Sequence, residues 1–185
     1  SQFRAGVDFE YGDLKEAIVG IPSGAYPVIA KADWLQELAK VLPREEFEKV
    51  NERSGKNNKD LPKYEQMEME NQALIFLLER HGVRVWRPDE VTEEQFAANF
   101  GAENLAICGF TQQYTRDPIV VIGDNVIELA ASTPIRRADI LGFKRLFQER
   151  LIGSNNKWYA MPVIDWSAMM NPKSGHDKTR MPVLE

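Results

Sequence analysis

The residues with the clearest capacity for chemistry are Arg116, Asp117 and Glu128, which bracket the run Pro118-Ile119-Val120-Val121-Ile122-Gly123-Asp124-Asn125-Val126-Ile127. Ile119 to Ile122 is wholly apolar and β-branched, and Val126-Ile127 resumes the same chemistry after Gly123-Asp124, a pair suited to a tight turn. The run therefore predicts a buried β-hairpin. Pro118 has no backbone donor and belongs at the first position of its strand, which puts Arg116 and Asp117 where the sheet opens. Glu128 closes the hairpin at the same end. Two carboxylates and a guanidinium gathered there could hold a small charged ligand, and the same residues would also serve as a surface ion pair flanking a core hairpin.

The other candidates for chemistry are fewer and weaker. Cys108 is the single cysteine, flanked by apolar residues in Ala106-Ile107-Cys108-Gly109-Phe110, and reads as a small core residue rather than a nucleophile. His81 falls at the end of a helical pattern, where an imidazole interacts well with exposed carbonyls without a chemical role. One cysteine excludes an intrachain disulfide framework and a four-cysteine metal site, and makes a reducing compartment, the cytoplasm, the natural home. At 185 residues, 43% hydrophobic and 28% charged, the chain suits one globular core, read as one domain over 1–185. Its formal net charge of -5 argues against nucleic acid and favours a cationic or zwitterionic partner. No apolar run approaches the roughly 20 residues of a membrane span, so no membrane partner is expected.

The elements that must position these residues follow in chain order. Glu16 to Ile21 predicts a first strand stopped by Pro22, followed by a loop at Ser23 to Pro27. Asp33 can cap a short helix with Trp34, Leu38 and Val41 on one face, and Pro43 starts another carrying Phe47 and Val50. Residues 51–63 are polar and turn-rich and predict a mobile surface loop. Met67, Asn71, Leu74, Leu78 and His81 repeat at helical spacing, with Leu77 widening the stripe and Gly82 placed as the cap. Val83 to Pro88 then alternates as a half-buried strand. Thr92 and Gln95 have capping-box spacing ahead of Phe96 and Phe100. Beyond the hairpin, Ile140, Phe143, Phe147 and Leu151 share a helix face, with Lys144, Arg145 and Arg150 on its wet side. Trp158 to Pro162 predicts the next strand, residues 165–180 with His176 a long loop, and Met181 to Glu185 the beginning of a strand that breaks off, as in a fragment.

Taken together, Arg116-Asp117, the strand run ending in Glu128, Arg136 eight residues on, the aromatic-rich helix and Lys157-Trp158-Tyr159-Ala160-Met161-Pro162 resemble the amidinotransferases of the glycine and inosamine type. Leu14-Lys15-Glu16-Ala17-Ile18-Val19-Gly20 is similar to that family's opening strand, and residues 70–88 to its next helix-strand unit. The resemblance covers nearly the whole chain, residues 51–63 least. It implies the pentein fold, an α/β propeller of ββαβ units, of which this chain would hold roughly the first two blades. It also implies that Asp117 grips the substrate guanidinium, because one carboxylate accepts two parallel N–H bonds from that planar group. Arg116 and Arg136 would lie on the substrate side, Arg136 as a carboxylate partner, and Glu185 would be the acid that orients a catalytic histidine. Transferases more commonly carry aspartate there, and glutamate is familiar from the deiminases.

By that resemblance the chain would act on L-arginine with an amine acceptor such as glycine, through an amidino-cysteine intermediate whose nucleophile lies outside these residues. It would need no metal or organic cofactor, be inactive alone as part of a longer polypeptide or as a chain complemented by a second one, and have a second copy of itself as a candidate partner in a homodimer. Two alternatives remain open: a guanidine hydrolase of the arginine deiminase or dihydrolase type on the same scaffold, and a non-catalytic propeller that serves as a binding module.

Overall fold

Three small open sheets, two of them formed by strands far apart in sequence and one around a hairpin, carry the segments that matter, and helices pack between them. The structure, a computed structural model, describes residues 6–8, 11–129, 131 and 134–160. The expected strand end at Met161-Pro162, the 165–180 loop with His176 and the closing strand to Glu185 lie outside the described residues.

Strand β1 (Glu16–Ile18) runs parallel to β3 (Arg84–Trp86), with Ala17 opposite Val85. The crossover between them contains α1 (Asp33–Ala39), α2 (Arg44–Glu52) and α3 (Tyr64–Arg80). Gly82, expected as the cap, stands one residue past it, where its φ of 78° turns the chain out of α3. His81 is the C-cap of α3, as its place in the sequence suggested. The stripe expected on α3 is narrower than its periodicity implied. Leu74 and Leu77 are exposed, and no side chain of the helix is fully buried. Val41, expected beside Trp34, is likewise exposed, whereas Phe47 and Val50 do pack against Ile29, Ala32 and Leu35.

Two regions read as loops are ordered pairings. Strand β2 (Gly24–Ala25) pairs antiparallel with β4 (Phe110–Thr111), so the predicted loop at Ser23 to Pro27 is a buried strand edge. Residues 51–63 begin as the end of α2 and then close onto that edge: the Tyr26 N–H donates to Lys56 O at 2.9 Å, the Gly55 N–H to Pro27 O at 3.1 Å, and Asn58 is buried. Their polar side chains hid backbone bonding, which composition does not report. Helix α4 (Glu93–Phe100) opens with the full capping box of Thr92 and Gln95, and Phe96 is wholly buried. Helix α5 (Ala102–Cys108) precedes β4.

The hairpin forms at the expected residues, with β5 (Ile119–Ile122) antiparallel to β6 (Asn125–Glu128) and Ile119 opposite Glu128. Gly123 turns it with φ of 56°. It is half-buried rather than buried, since Ile122 faces solvent. A 3-10 turn at Pro134–Arg136, another at Asp139–Phe143 and helix α6 (Lys144–Leu151) follow, and β7 (Lys157–Tyr159) returns parallel to β6. Ile119, Val126, Phe143, Phe147 and Leu151 form the cluster between this sheet and α6. The architecture is thus mixed α/β, with a strand-strand-helix-strand unit at its end and no closed sheet among the described residues. Among the described residues no helix is long and apolar enough to cross a membrane.

Candidate functional site

Asp117 sits in the bend between β4 and β5, and that bend is fixed by bonds from neighbouring residues rather than by Asp117 itself. Gln112 is the anchor. Its buried amide oxygen accepts from Ser23 Oγ at 2.9 Å and from the Val91 N–H at 2.7 Å, and its Nε2 donates to Asp89 O at 2.7 Å. Three bonds from two chain segments, Ser23 on one side and Asp89 with Val91 on the other, thus hold that amide in place. The Ile21 N–H donates to Gln112 O at 3.0 Å and the Thr115 hydroxyl to Ile18 O at 3.0 Å, tying residues 112–115 to the exit of β1. Pro118 is buried and its carbonyl accepts from the Leu129 N–H at 2.9 Å, which sets the start of β5.

On this support Asp117 stands with its side chain 47% exposed, open to a ligand. Arg136 reaches it from the 3-10 turn, Nη2 to Oδ2 at 3.3 Å, and the Arg136 guanidinium lies over the Tyr114 ring with Cζ 4.2 Å from the centroid. Asp139, one 3-10 turn on and wholly buried, takes the Thr111 N–H on Oδ1 at 3.1 Å, while its Oδ2 is 3.6 Å from Arg136 Nη1. Burial pushes the Asp139 carboxyl up to about 8, against the Thr111 N–H and the Arg136 charge, which pull it down. Neither Asp139 Oδ2 nor Arg136 Nη1 has a hydrogen-bond partner.

The structure therefore brings together two of the residues singled out in the sequence, Asp117 and Arg136. Arg116 is exposed and makes no ion pair among the described residues. Glu128 does not join the cluster, although it closes the hairpin at the same end. Its side chain faces α6, where Oε1 accepts from Lys144 Nζ at 2.5 Å and from Trp158 Nε1 at 2.8 Å. That bond also draws Lys144 off the wet side expected of it. The reason is the pleat: Glu128 shares the face of Val126, which packs on Phe143 and Phe147. Glu185 lies outside the described residues.

Sequence reading missed Asp139, Tyr114 and Gln112. Asp139 had one usable signal, its place three residues after Arg136 and directly before the apolar Ile140-Leu141-Gly142-Phe143, where a carboxylate is carried inward. Cys108 is buried in the cluster of Phe96 and Phe110, and desolvation pushes its thiol up to about 12, against the pull of the Arg137 charge. It is a core residue, as expected, and a poor nucleophile. Among the described residues no group of three or more His, Cys, Asp or Glu side chains is placed to hold a metal ion.

A carboxylate at a strand mouth, beside an aromatic face and an arginine on a mixed α/β frame, defines a class of site suited to a planar cation, and the fold itself is one seen before. It matches the structure of the inosamine-phosphate amidinotransferase of Streptomyces griseus over 88% of this chain at 20% identity, with a TM-score of 0.60. It also matches SxtG, an amidinotransferase from the saxitoxin biosynthetic pathway of Microseira wollei, over 89% of this chain at 21% identity, with a TM-score of 0.61. The chain spans 44% and 43% of the lengths of those two proteins. No protein-family model and no curated protein matches the sequence.

Proposed function

We propose that the chain is the guanidinium-binding part of an amidinotransferase, moving the amidino group of L-arginine to an amine acceptor such as glycine. The observation that carries this reading is Asp117, half-exposed on a bend held by neighbouring residues, beside Tyr114 and Arg136, in a fold shared with amidinotransferases. The pentein propeller, with this chain as about two of its blades, is the architecture the reading entails. Asp117 accepts two parallel N–H bonds from the substrate guanidinium, and Arg136 is available to a substrate carboxylate.

In the reaction a cysteine thiolate attacks the guanidinium carbon, and the C–N bond to the ornithine side breaks as a histidine delivers a proton to the departing amine. The amidino-cysteine so formed is attacked by the acceptor amine, whose proton returns to the histidine as the thiolate leaves. Cys108 is unsuited to this role because it is buried and its thiol is held protonated. The nucleophile then belongs to polypeptide beyond these residues or to a second chain, and Glu185 is the residue assigned to orient the histidine.

Intact-mass measurement of the longer polypeptide or complex that contains these residues, incubated with L-arginine, tests the reading. An amidino adduct that forms in the Cys108→Ser variant, is lost in Asp117→Ala and disappears when glycine is added is the expected result. Unchanged arginine binding in Asp117→Ala overturns the site, and an adduct on Cys108 overturns the assignment of the nucleophile. An adduct cleared by water alone makes the protein a guanidine hydrolase.

A further inference from the structure

Arg136 lies between two carboxylates that are not equivalent. Asp117 is half-exposed and open to solvent, whereas Asp139, the first residue of its 3-10 turn, is buried. The guanidinium favours neither fully: it is 3.3 Å from Asp117 and 3.6 Å from Asp139, with Nη1 and the facing Oδ2 both lacking a hydrogen bond. Its Cζ lies 4.2 Å from the centroid of the Tyr114 ring, a contact that a small shift toward either carboxylate would keep.

We propose that Asp139 is a positioning residue for the guanidinium seat, acting through Arg136: an ionised Asp139 draws Arg136 inward and frees Asp117, and a protonated Asp139 leaves Arg136 on Asp117. This deepens the function proposed above and rests on Asp117 being the ligand's partner. Both electrostatic contributions have the same sign. Removing Arg136 from Asp117 takes away an internal competitor for the incoming guanidinium. Ionising Asp139 also changes the local charge from zero, for Asp117 with Arg136, to -1, which attracts a cation.

The groups facing Asp139 are few. Arg136 comes from the preceding turn, Asp117 from the bend before β5, and the Thr111 N–H from β4. Ile140 and Phe143 on its own turn belong to the apolar cluster under β5 and β6. Asp117 opposes ionisation of Asp139 and Arg136 favours it, but desolvation is the largest influence and holds the carboxyl up to about 8. The exchange therefore falls in the range where cells and enzymes operate. Coupling is reciprocal, so a bound guanidinium must also promote loss of the Asp139 proton.

The experiment uses methylguanidinium, which has the planar cation and no carboxylate. Its affinity for the wild-type protein rises about tenfold between pH 6.5 and 9.5, within the roughly 5–150-fold range of such couplings. In Asp139→Asn, which keeps an oxygen for the Thr111 N–H, it stays at the low-pH value. In the ligand-free wild-type protein the Arg136 side-chain NMR resonances shift with an apparent pKa near 8, and this titration disappears in Asp139→Asn. A flat wild-type affinity that Asp117→Ala still abolishes overturns the coupling and leaves the proposed function standing. Arg136 resonances that do not move between pH 6 and 10 overturn it without any ligand. Binding that survives Asp117→Ala overturns the function, and with it the coupling.

Discussion

At the scale of single residues, Asp139 should leave a signature in stability as well as in binding. Its carboxyl ionises near 4 in an unfolded chain and is held up to about 8 in the folded one. Between those values the folded state keeps a proton that the unfolded state has released. Stability from this group therefore falls as pH rises, with a limiting slope of about 1.4 kcal/mol per pH unit. Asp139→Asn has no such proton and should gain on the wild type between pH 5.5 and 7.5, measured as the urea midpoint at each pH. A difference between the two proteins that does not change with pH would mean that Asp139 is ionised throughout. Cys108 makes a simpler prediction. Wholly enclosed by Phe96 and Phe110, with its thiol pushed up to about 12, it should alkylate only as fast as the protein opens. Iodoacetamide labelling in the native protein should thus be far slower than in urea, and equal rates would place the thiol at the surface.

At the scale of elements, the support beneath Asp117 is more vulnerable than Asp117 itself. A Cβ added at Gly142 would come within 2.4 Å of Gln112 Nε2 and 2.5 Å of Asp89 O, the two atoms whose hydrogen bond fixes the bend. Gly142→Ala should cost about 1–3 kcal/mol, as insertions into tight packing do. The expected loss of guanidinium affinity exceeds what that destabilisation alone would produce, because the bend carrying Asp117 shifts. Calorimetric melting together with methylguanidinium titration separates the two, and an unchanged melting temperature would show that the turn yields freely. This dependence on a glycine, an amide and a carbonyl explains what sequence could and could not reveal. The hairpin at Ile119 to Glu128 and the capping box at Thr92 follow local rules, and were readable from residue type and spacing. The pairing of β2 with β4 joins strands of two residues each, too short to carry a period, and the Gln112 bonds connect segments more than twenty residues apart. Arg136 and Asp117 could be named as candidates, but that Asp139 stands behind them depends on how the 3-10 turn buries it.

At the scale of the molecule, the apolar interior is divided, and the division passes through the candidate site. One cluster gathers Val91, Phe96, Cys108, Phe110 and Ala138, and another Ile119, Val126, Phe143, Phe147 and Leu151. The turn containing Asp139 is the seam, since Ala138 belongs to the first cluster and Phe143 to the second. Desolvation from both sides is what holds the Asp139 proton in place, so the chemistry proposed for Arg136 depends on the two clusters remaining packed together. If they are energetically separate, losses in each should add. Val91→Ala and Val126→Ala each remove two buried methyl groups' worth of volume and should cost about 2 kcal/mol apiece, at roughly 0.8 kcal/mol per buried methylene with a cavity contribution. The double variant should then lie within about 0.5 kcal/mol of their sum. Urea denaturation of the four proteins completes the cycle. A coupling well above that would mean one continuous core, in which repacking at either valine should also shift the pH at which Arg136 moves. Strict additivity would confine that sensitivity to substitutions at the seam itself.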